Sequence, residues 1–406
     1  MIPKLKDYAK YVGKETIEDI RDQSYKLAVS DVHLTHINST SSGGGVAEIL
    51  NTHVILMNEL GIETGWRLLK GTHSFFTVTK QFLNALQGTP MELTKEKHEV
   101  YLEEIERNSL MNHLKHHDMI VVHDPQPLAI VQQYYKKQPW IWRCHVDMST
   151  PHPQTWKYLK EYIKKYDRVI VSMNKYKRKR LGMPQVVIPP AIDPLSLKNK
   201  PMSDAKCRKI MSQNGLDPEV PMICQVSRFD KCKNPIGAVN IFRRVKKKVK
   251  DCRLVLIGDA SVDDPESSEM YNELTEYVKD DKDVHIISKK SDELVNALQR
   301  KSDVILQNSR KEGFGLTVTE ALWKETAVVA TNVGGIPLQV KNRKTGFLVS
   351  SERQAAKRCV ELLKDRKLAA KLGKHGKELV RKEFLITTHL QSYLELCNDV
   401  MFNRKR

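Results

Sequence analysis

No apolar run in the 406-residue sequence approaches the ~18 residues that would span a bilayer, so a membrane-crossing helix is excluded. The opening stretch, MIPKLKDYAKYVGKETIEDI, lacks an apolar h-region and a small-residue cleavage site, and the expectation is a cytoplasmic chain. Cysteine is sparse and scattered, at 144, 207, 224, 232, 252, 359 and 397 with no CxxC pair, which excludes a zinc ribbon and a disulfide frame and predicts reduced, buried thiols. Metal-ligand spacing is also missing: His116, His117 and Asp118 are consecutive, and Asp263, Asp264 and Glu266 read as an exposed acidic loop, so no metal site is expected. There is no aromatic-interleaved basic motif of the kind that binds nucleic acid, and no short internal repeat.

What is present is length, charge and rhythm. A chain of 406 residues exceeds one ordinary core and predicts two α/β domains with a cleft between them. The net charge of +18 suits nucleic acid, an anionic membrane surface or a polyanionic small molecule such as a nucleoside diphosphate, and charge alone does not choose. Short apolar runs alternate with amphipathic, helix-length segments, the pattern of a parallel sheet with crossover helices. Strands are expected at Val32 to Asn38, Trp66 to Leu69, Met119 to His123, Ile141 to His145, Arg168 to Ser172 and Val186 to Ile188. After a polar, Pro-containing stretch from about Pro189 to Pro201, strands resume at Met222 to Ser227, Arg253 to Gly258, Val284 to Ser288, Val304 to Gln307, Val328 to Thr331 and Phe347 to Ser350. The expected domains are 1–195 and 196–383, each Rossmann-like, with a helix at 384–406 crossing back to the first.

Ligands in open parallel sheets lie beyond the carboxyl ends of the strands, so motifs at those ends matter most. SSGGGVAEIL follows the first strand: Gly43, Gly44 and Gly45 allow close backbone approach, and the helix they open offers N–H groups to an anion. A ligand-free strand-to-helix turn explains it equally. VSRFDKCKNP follows the first strand of the second half, where Arg228 can fork onto two phosphate oxygens and Lys233 adds a point charge; two solvated surface cations are the alternative. In RKEGFGLTVTEALW, the Gly313-Phe314-Gly315-Leu316 turn opens a helix, with Glu312 and Glu320 on either side. If the whole stretch were helical, these carboxylates would stand on the order of 12 Å apart, too far for a retaining glycosidase pair and better suited to the sugar and the ribose of one long ligand. Otherwise Glu312 is a charge at a helix N-terminus and Glu320 an exposed helical residue. In the first half, His145 and Asp147 follow an apolar strand in WIWRCHVDMSTPHP, with the His145 imidazole expected to be buried and facing the cleft, and His123, Asp124 and Gln126 follow another in VVHDPQP. Such strand ends, with Asn38, can hold sugar hydroxyls, or simply satisfy a turn and a core imidazole. IFRRVKKKVK from Ile241 is strongly basic, yet Ile236, Val239, Phe242, Val245 and Val249 form an apolar stripe at helical spacing, so a core-facing helix with a solvated face is favoured over a membrane-surface helix.

Taken in order, the GGG turn, Arg228 to Lys233, Glu312 to Glu320 and VGGIP from Val333 resemble the retaining GT-B glycosyltransferases, the family of sucrose and glycogen synthases. Within it, HINSTSSGGGVAEIL, WRCHVDMSTPHP, VSRFDKCKNPIG, DDPE and EGFGLTVTEALWK look most like trehalose glycosyltransferring synthases over nearly the whole chain, and beyond them like the longer retaining trehalose phosphorylases. The resemblance implies a UDP-, ADP- or GDP-glucose donor, glucose as acceptor with another sugar or a lipid as the alternative, and no tightly bound cofactor; a homodimer is compatible with it, no nucleic-acid partner is expected, and a membrane partner is disfavoured although related lipid glycosyltransferases use basic helices on membranes. It further implies that Arg228 and Lys233 clamp the diphosphate with the Gly43 to Gly45 loop, that Glu312 meets the donor sugar, Glu320 the ribose and His145 the transferred glucose. Attack from the front face, with the leaving phosphate oxygen taking the acceptor's proton, is the mechanism the family suggests. One departure is KETAVVA after Trp323, where the family usually has a glycine before the strand; the local turn is therefore in question.

Overall fold

Each of the twelve apolar runs forms a strand, and every strand pairing is parallel. The computed structural model describes residues 3–41, 44–258, 265–288 and 291–403. The first sheet comprises β1 (Leu34–Asn38), β2 (Thr64–Leu68), β3 (Met119–His123), β4 (Trp140–Arg143), β5 (Arg168–Val171) and β6 (Gln185–Val187), in the order β2-β1-β3-β4-β5-β6. The second comprises β7 (Met222–Val226), β8 (Arg253–Gly258), β9 (Val284–Ser288), β10 (Val304–Gln307), β11 (Val328–Thr331) and β12 (Phe347–Val349), in the order β12-β11-β10-β7-β8-β9. Read from β7, that is the 3-2-1-4-5-6 order of a Rossmann sheet, with the direction of winding reversing between β7 and β10.

Strand ends shift by one or two residues from the expected ones. The first strand starts at Leu34 because Asp31 turns the chain with φ 50° and the His33 amide is spent on the Asp118 carboxylate. The chain divides into two compact units: residues up to Ala191 together with Ile386 onward, and Ile192–Leu385. The last helix, Ile386–Phe402, packs within the first unit on the helices Lys14–Val29 and Gly45–Glu59.

Each unit has its own core. In the first, Ile120, Val122, Trp140 and Trp142 face Phe75, Phe82, Tyr101 and Tyr166. Alternation then turns His36, His123 and Arg143 to the opposite side of the same strands, and all three are buried there. In the second, Leu254, Leu256, Val304 and Leu306 pack with Val239, Phe242 and Val245 of the helix Pro235–Lys246 and with Ala355, Cys359 and Leu362. No helix among the described residues is long and apolar enough to cross a membrane.

Candidate active site

The reversal of winding in the second sheet leaves the carboxyl ends of β7 and β10 side by side with their connections departing in opposite directions. Lys233, from the loop after β7, and Glu312, from the loop after β10, meet there: Lys233 Nζ donates to Glu312 Oε2 at 2.5 Å. Gln307 Nε2 and Ser309 Oγ also donate to that oxygen, each at 3.3 Å. Gln307 is oriented in turn by donating to Ser309 Oγ (2.8 Å) and accepting from Thr317 Oγ1 (3.1 Å). The carboxylate is thus aimed by three donors, and its lysine is only 18% exposed.

Local turns fix both partners. Asp230 caps the β7 loop, its Oδ1 accepting from the Lys233 amide at 2.9 Å, while Gln225 Nε2 donates to the Lys233 carbonyl at 2.8 Å. Arg310 N–H donates to the Cys232 carbonyl at 2.7 Å and ties the two loops together. The helix Pro235–Lys246 begins after Asn234, in the left-handed region at φ 55°. Gly237 is needed in its first turn, since a Cβ there would stand 2.6 Å from Asn308 Nδ2 and closer still to Asn234 Nδ2. Arg228 lies at the rim, its side chain 63% exposed and paired with Asp230 at 3.1 Å. After Glu312, Gly315 takes φ +86° and opens the helix Leu316–Trp323. The VGGIP segment braces this turn: a Cβ on Gly335 would come within 2.8 Å of the Phe314 Cα, and Gln339 Nε2 donates to the Phe314 carbonyl at 2.6 Å. Phe314 itself is buried against Phe384, which leaves its backbone as the part that can meet a ligand.

Glu312 lies four residues before the helix, so its separation from Glu320 is not a helical rise. Glu320 is not the exposed helical residue that was one option: it is 2% exposed, with Oε2 accepting from Gln299 at 2.9 Å and Oε1 3.8 Å from Lys198 Nζ.

In the first unit, Gly44 (φ +93°) caps the helix Gly45–Glu59 with open space where a side chain would sit, so no cap side chain competes for the first N–H groups. Gly43 lies outside the described residues. Asn38 is committed to structure, accepting from Trp66 Nε1 at 2.6 Å and donating to the Thr40 carbonyl at 2.7 Å. His145 is partly exposed rather than buried. Its amide donates to Asp124 Oδ1 at 2.8 Å and its Nε2 lies 2.9 Å from His123 Nδ1. Asp124 occupies the left-handed region at φ 62°, and burial pushes its carboxyl up to about 7. Asp147 Oδ1 accepts from the Ser149 amide at 2.8 Å, and Gln126, in the loop after β3, is partly buried.

A family model described as the trehalose synthase N-terminal domain matches residues 36–178, and one for glycosyl transferases group 1 matches 207–379. A trehalose synthase of Thermococcus litoralis is 43% identical over 401 residues, covering 98% of this chain and 97% of that protein. The chain belongs to the trehalose synthase family. A trehalose phosphorylase of Pleurotus pulmonarius is 25% identical, matching 100% of this chain but 62% of its own. Among solved structures, the sucrose-phosphate synthase of Thermosynechococcus elongatus superposes with TM-score 0.72 at 18% identity, over 92% of this chain and 100% of that one. The architecture is therefore GT-B, with two Rossmann-like domains, and the protein is a glycosyltransferase.

For this trehalose synthase family member, several expectations are corrected in detail. The basic helix ends at Lys246, so Lys247 and Lys248 lie beyond it; Arg243 and Lys246 pair with Asp281 and Asp283, while Val239, Phe242 and Val245 are buried and Ile236 and Val249 partly so. Six cysteines are buried and Cys232 is partly exposed, and all seven are free. Asp263 and Asp264 lie outside the described residues. Where the family usually has glycine, Glu325 adopts φ 62°, the left-handed conformation that glycine favours, and pairs with Lys377 at 2.7 Å. The residues that sequence reasoning missed are Gln225 on the Lys233 carbonyl, Gln307 and Ser309 on Glu312, and His36, His53, Arg143, His389 and Tyr393 in the first unit. A signal existed for His36 and Arg143: with His123 they occupy one face of three adjacent, mostly apolar strands.

Proposed function

We propose that this protein transfers glucose, with retention, from a nucleoside-diphosphate glucose to the anomeric hydroxyl of a second glucose, forming trehalose reversibly. The observation that carries this is the Lys233–Glu312 pair at the winding reversal of the second sheet, in a chain 43% identical to a trehalose synthase. Breaking the anomeric C–O bond loads negative charge onto the leaving diphosphate. Lys233 and Arg228 supply positive charge to it, and the helix N-terminus at Gly44 and Gly45 adds N–H donors, each well-aimed donor lowering the barrier by ~3 kcal/mol. Lys233 exchanges its contact with Glu312 for a phosphate oxygen, which frees Glu312 to accept from a hydroxyl of the donor sugar. Glu320 offers Oε1 to the ribose hydroxyls. In the first unit, His145 meets a hydroxyl of the transferred glucose. Asp124, Gln126 and Asp147 surround the acceptor.

The test is incubation with UDP-, ADP- and GDP-glucose plus glucose, with the product identified by NMR and by trehalase digestion. Formation of the α,α-1,1 disaccharide from at least one donor, and its reversal by the matching nucleoside diphosphate, is the expected result. The 25% identical phosphorylase motivates a second reading. Cleavage of trehalose by inorganic phosphate, with no response to any nucleoside diphosphate, would establish that reading instead.

A further inference from the structure

The polar face of the first sheet carries a connected row of imidazoles. His145 Nε2 lies 2.9 Å from His123 Nδ1, and His123 Nε2 lies 2.9 Å from His36 Nδ1. Desolvation, complete at His36 and His123 and partial at His145, holds all three rings well below the ordinary histidine range with the Arg143 charge acting in the same sense, so each is neutral. A neutral ring has one N–H and one bare nitrogen. The middle ring therefore donates on one side and accepts on the other, and both hydrogen bonds must run in the same direction.

The buried end decides which direction. If the row ran from His145 inward, His36 would carry its proton on Nε2, which is buried and makes no hydrogen bond to any described residue. A buried N–H without an acceptor is among the rarest and costliest arrangements in folded proteins, whereas a bare nitrogen is better tolerated. Arg143 acts in the same sense. Its guanidinium is fully buried, none of its three nitrogens has a hydrogen-bond partner among the described residues, and its field reaches His36, His123 and His145. A positive charge with no acceptor favours a lone pair nearby over another N–H. His53, whose ring centroid is 5.2 Å from that of His36, offers it no hydrogen bond, and His389 is spent on the Pro189 carbonyl at 2.9 Å.

We propose that the row His36, His123, His145 runs outward, each ring protonated on Nδ1, so that His145 is locked as an Nδ1–H donor towards the sugar, with His123 and His36 as positioning residues. The inference about the sugar rests on the role given to His145 under Proposed function; the tautomers do not. His145 then accepts through Nε2 from His123 and has Nδ1–H left for a hydroxyl oxygen, so it cannot serve as a neutral base through that nitrogen.

Histidine-selective ¹⁵N labelling of the full-length protein separates protonated from bare ring nitrogens, with assignment by single substitutions. Protonated Nδ1 and bare Nε2 on His36, His123 and His145 is the expected result, opposite to the Nε2–H form that an unconstrained neutral histidine prefers. A proton on Nε2 of His145 overturns the proposal. A matched pair of variants tests positioning. The His123→Asn amide nitrogen falls where Nδ1 was and still donates to His145, whereas the His123→Gln amide falls where Nε2 was and does not. His123→Asn should keep kcat within about threefold, and His123→Gln should lower it about tenfold or more with little change in KM for the nucleotide-glucose. Equal losses in the two variants, with the His145 tautomer unchanged, overturn the positioning role. If the tautomers are as expected but His145→Phe is fully active, the contact of His145 with sugar is overturned and the tautomer assignment stands.

Discussion

Lowering the pH from 7.5 to 5.5 should unfold the first unit far more readily than a surface titration would. Four histidines there, His36, His53, His123 and His389, are at most 5% exposed, and burial depresses each of them, His53 to about 3; His145, depressed as well but partly exposed, adds to the effect and is left out of the sum. A depressed histidine contributes stability above its unfolded value near 6.5, and this is lost as pH falls, because the unfolded chain takes up a proton that the fold refuses. For a ring that stays neutral in the fold the loss is RT ln(1 + 10^(6.5 − pH)), about 1.4 kcal/mol at pH 5.5, or about 5 kcal/mol for the four. Asp124 works in the opposite direction. Its carboxyl, raised to about 7, is protonated in the fold before it is in the unfolded chain, so the same acid step returns at most about 2 kcal/mol. The net loss of about 3 kcal/mol is a large part of a typical stability of roughly 5–15 kcal/mol. Urea unfolding followed by tryptophan fluorescence measures it, since Trp66, Trp140, Trp142 and Trp156 all belong to the first unit and only Trp323 to the second. His53→Phe should remove about 1.4 kcal/mol of the pH dependence. Equal unfolding free energies at pH 7.5 and 5.5 would refute the reasoning.

Lys233→Met should lower turnover about a hundredfold and also cost the second unit about 2 kcal/mol, because Glu312 keeps its charge without its partner; steady-state kinetics and thermal unfolding separate the two effects. Arg228→Ala should lower turnover comparably but cost less stability than Lys233→Met, since the arginine itself is 63% exposed although its partner Asp230 is buried; thermal unfolding compares the two. Gly237→Ala should destabilise by about 2 kcal/mol or more, measured by urea unfolding, because the added methyl meets Asn234 and Asn308. Reversing the charge of Lys247 and Lys248, which lie beyond the end of the basic helix, should leave turnover within a few-fold of normal, and binding to anionic vesicles that is lost on reversal would favour a membrane surface role instead.

The twelve strands were legible because their signal is local. Apolar runs such as MIVVH and RLVLIG, bounded by turns and separated by helix-length segments, admit few other structures. Lys233 and Glu312 were legible for a related reason: each follows a strand end and precedes a helix, and parallel sheets bring such junctions to one edge. Their direct contact was not, because it depends on β10 returning to pair with β7 rather than with β9, a choice made by the winding of the sheet. The KETAVVA turn shows the limit from the other side, since the sequence departs from glycine there while the backbone keeps the conformation glycine prefers, with Glu325 tolerating φ 62°. The histidine row lay furthest from view. Its members come from β1, β3 and the segment just after β4, and His53 and His389, from two helices, one of them near the chain's end, pack around it. Period, propensity and capping act over a few neighbouring residues, so the chain alone determined its elements and the strand-end motifs; which polar side chains share a buried face, and therefore which protons they can hold, was decided only when distant strands paired and helices covered them.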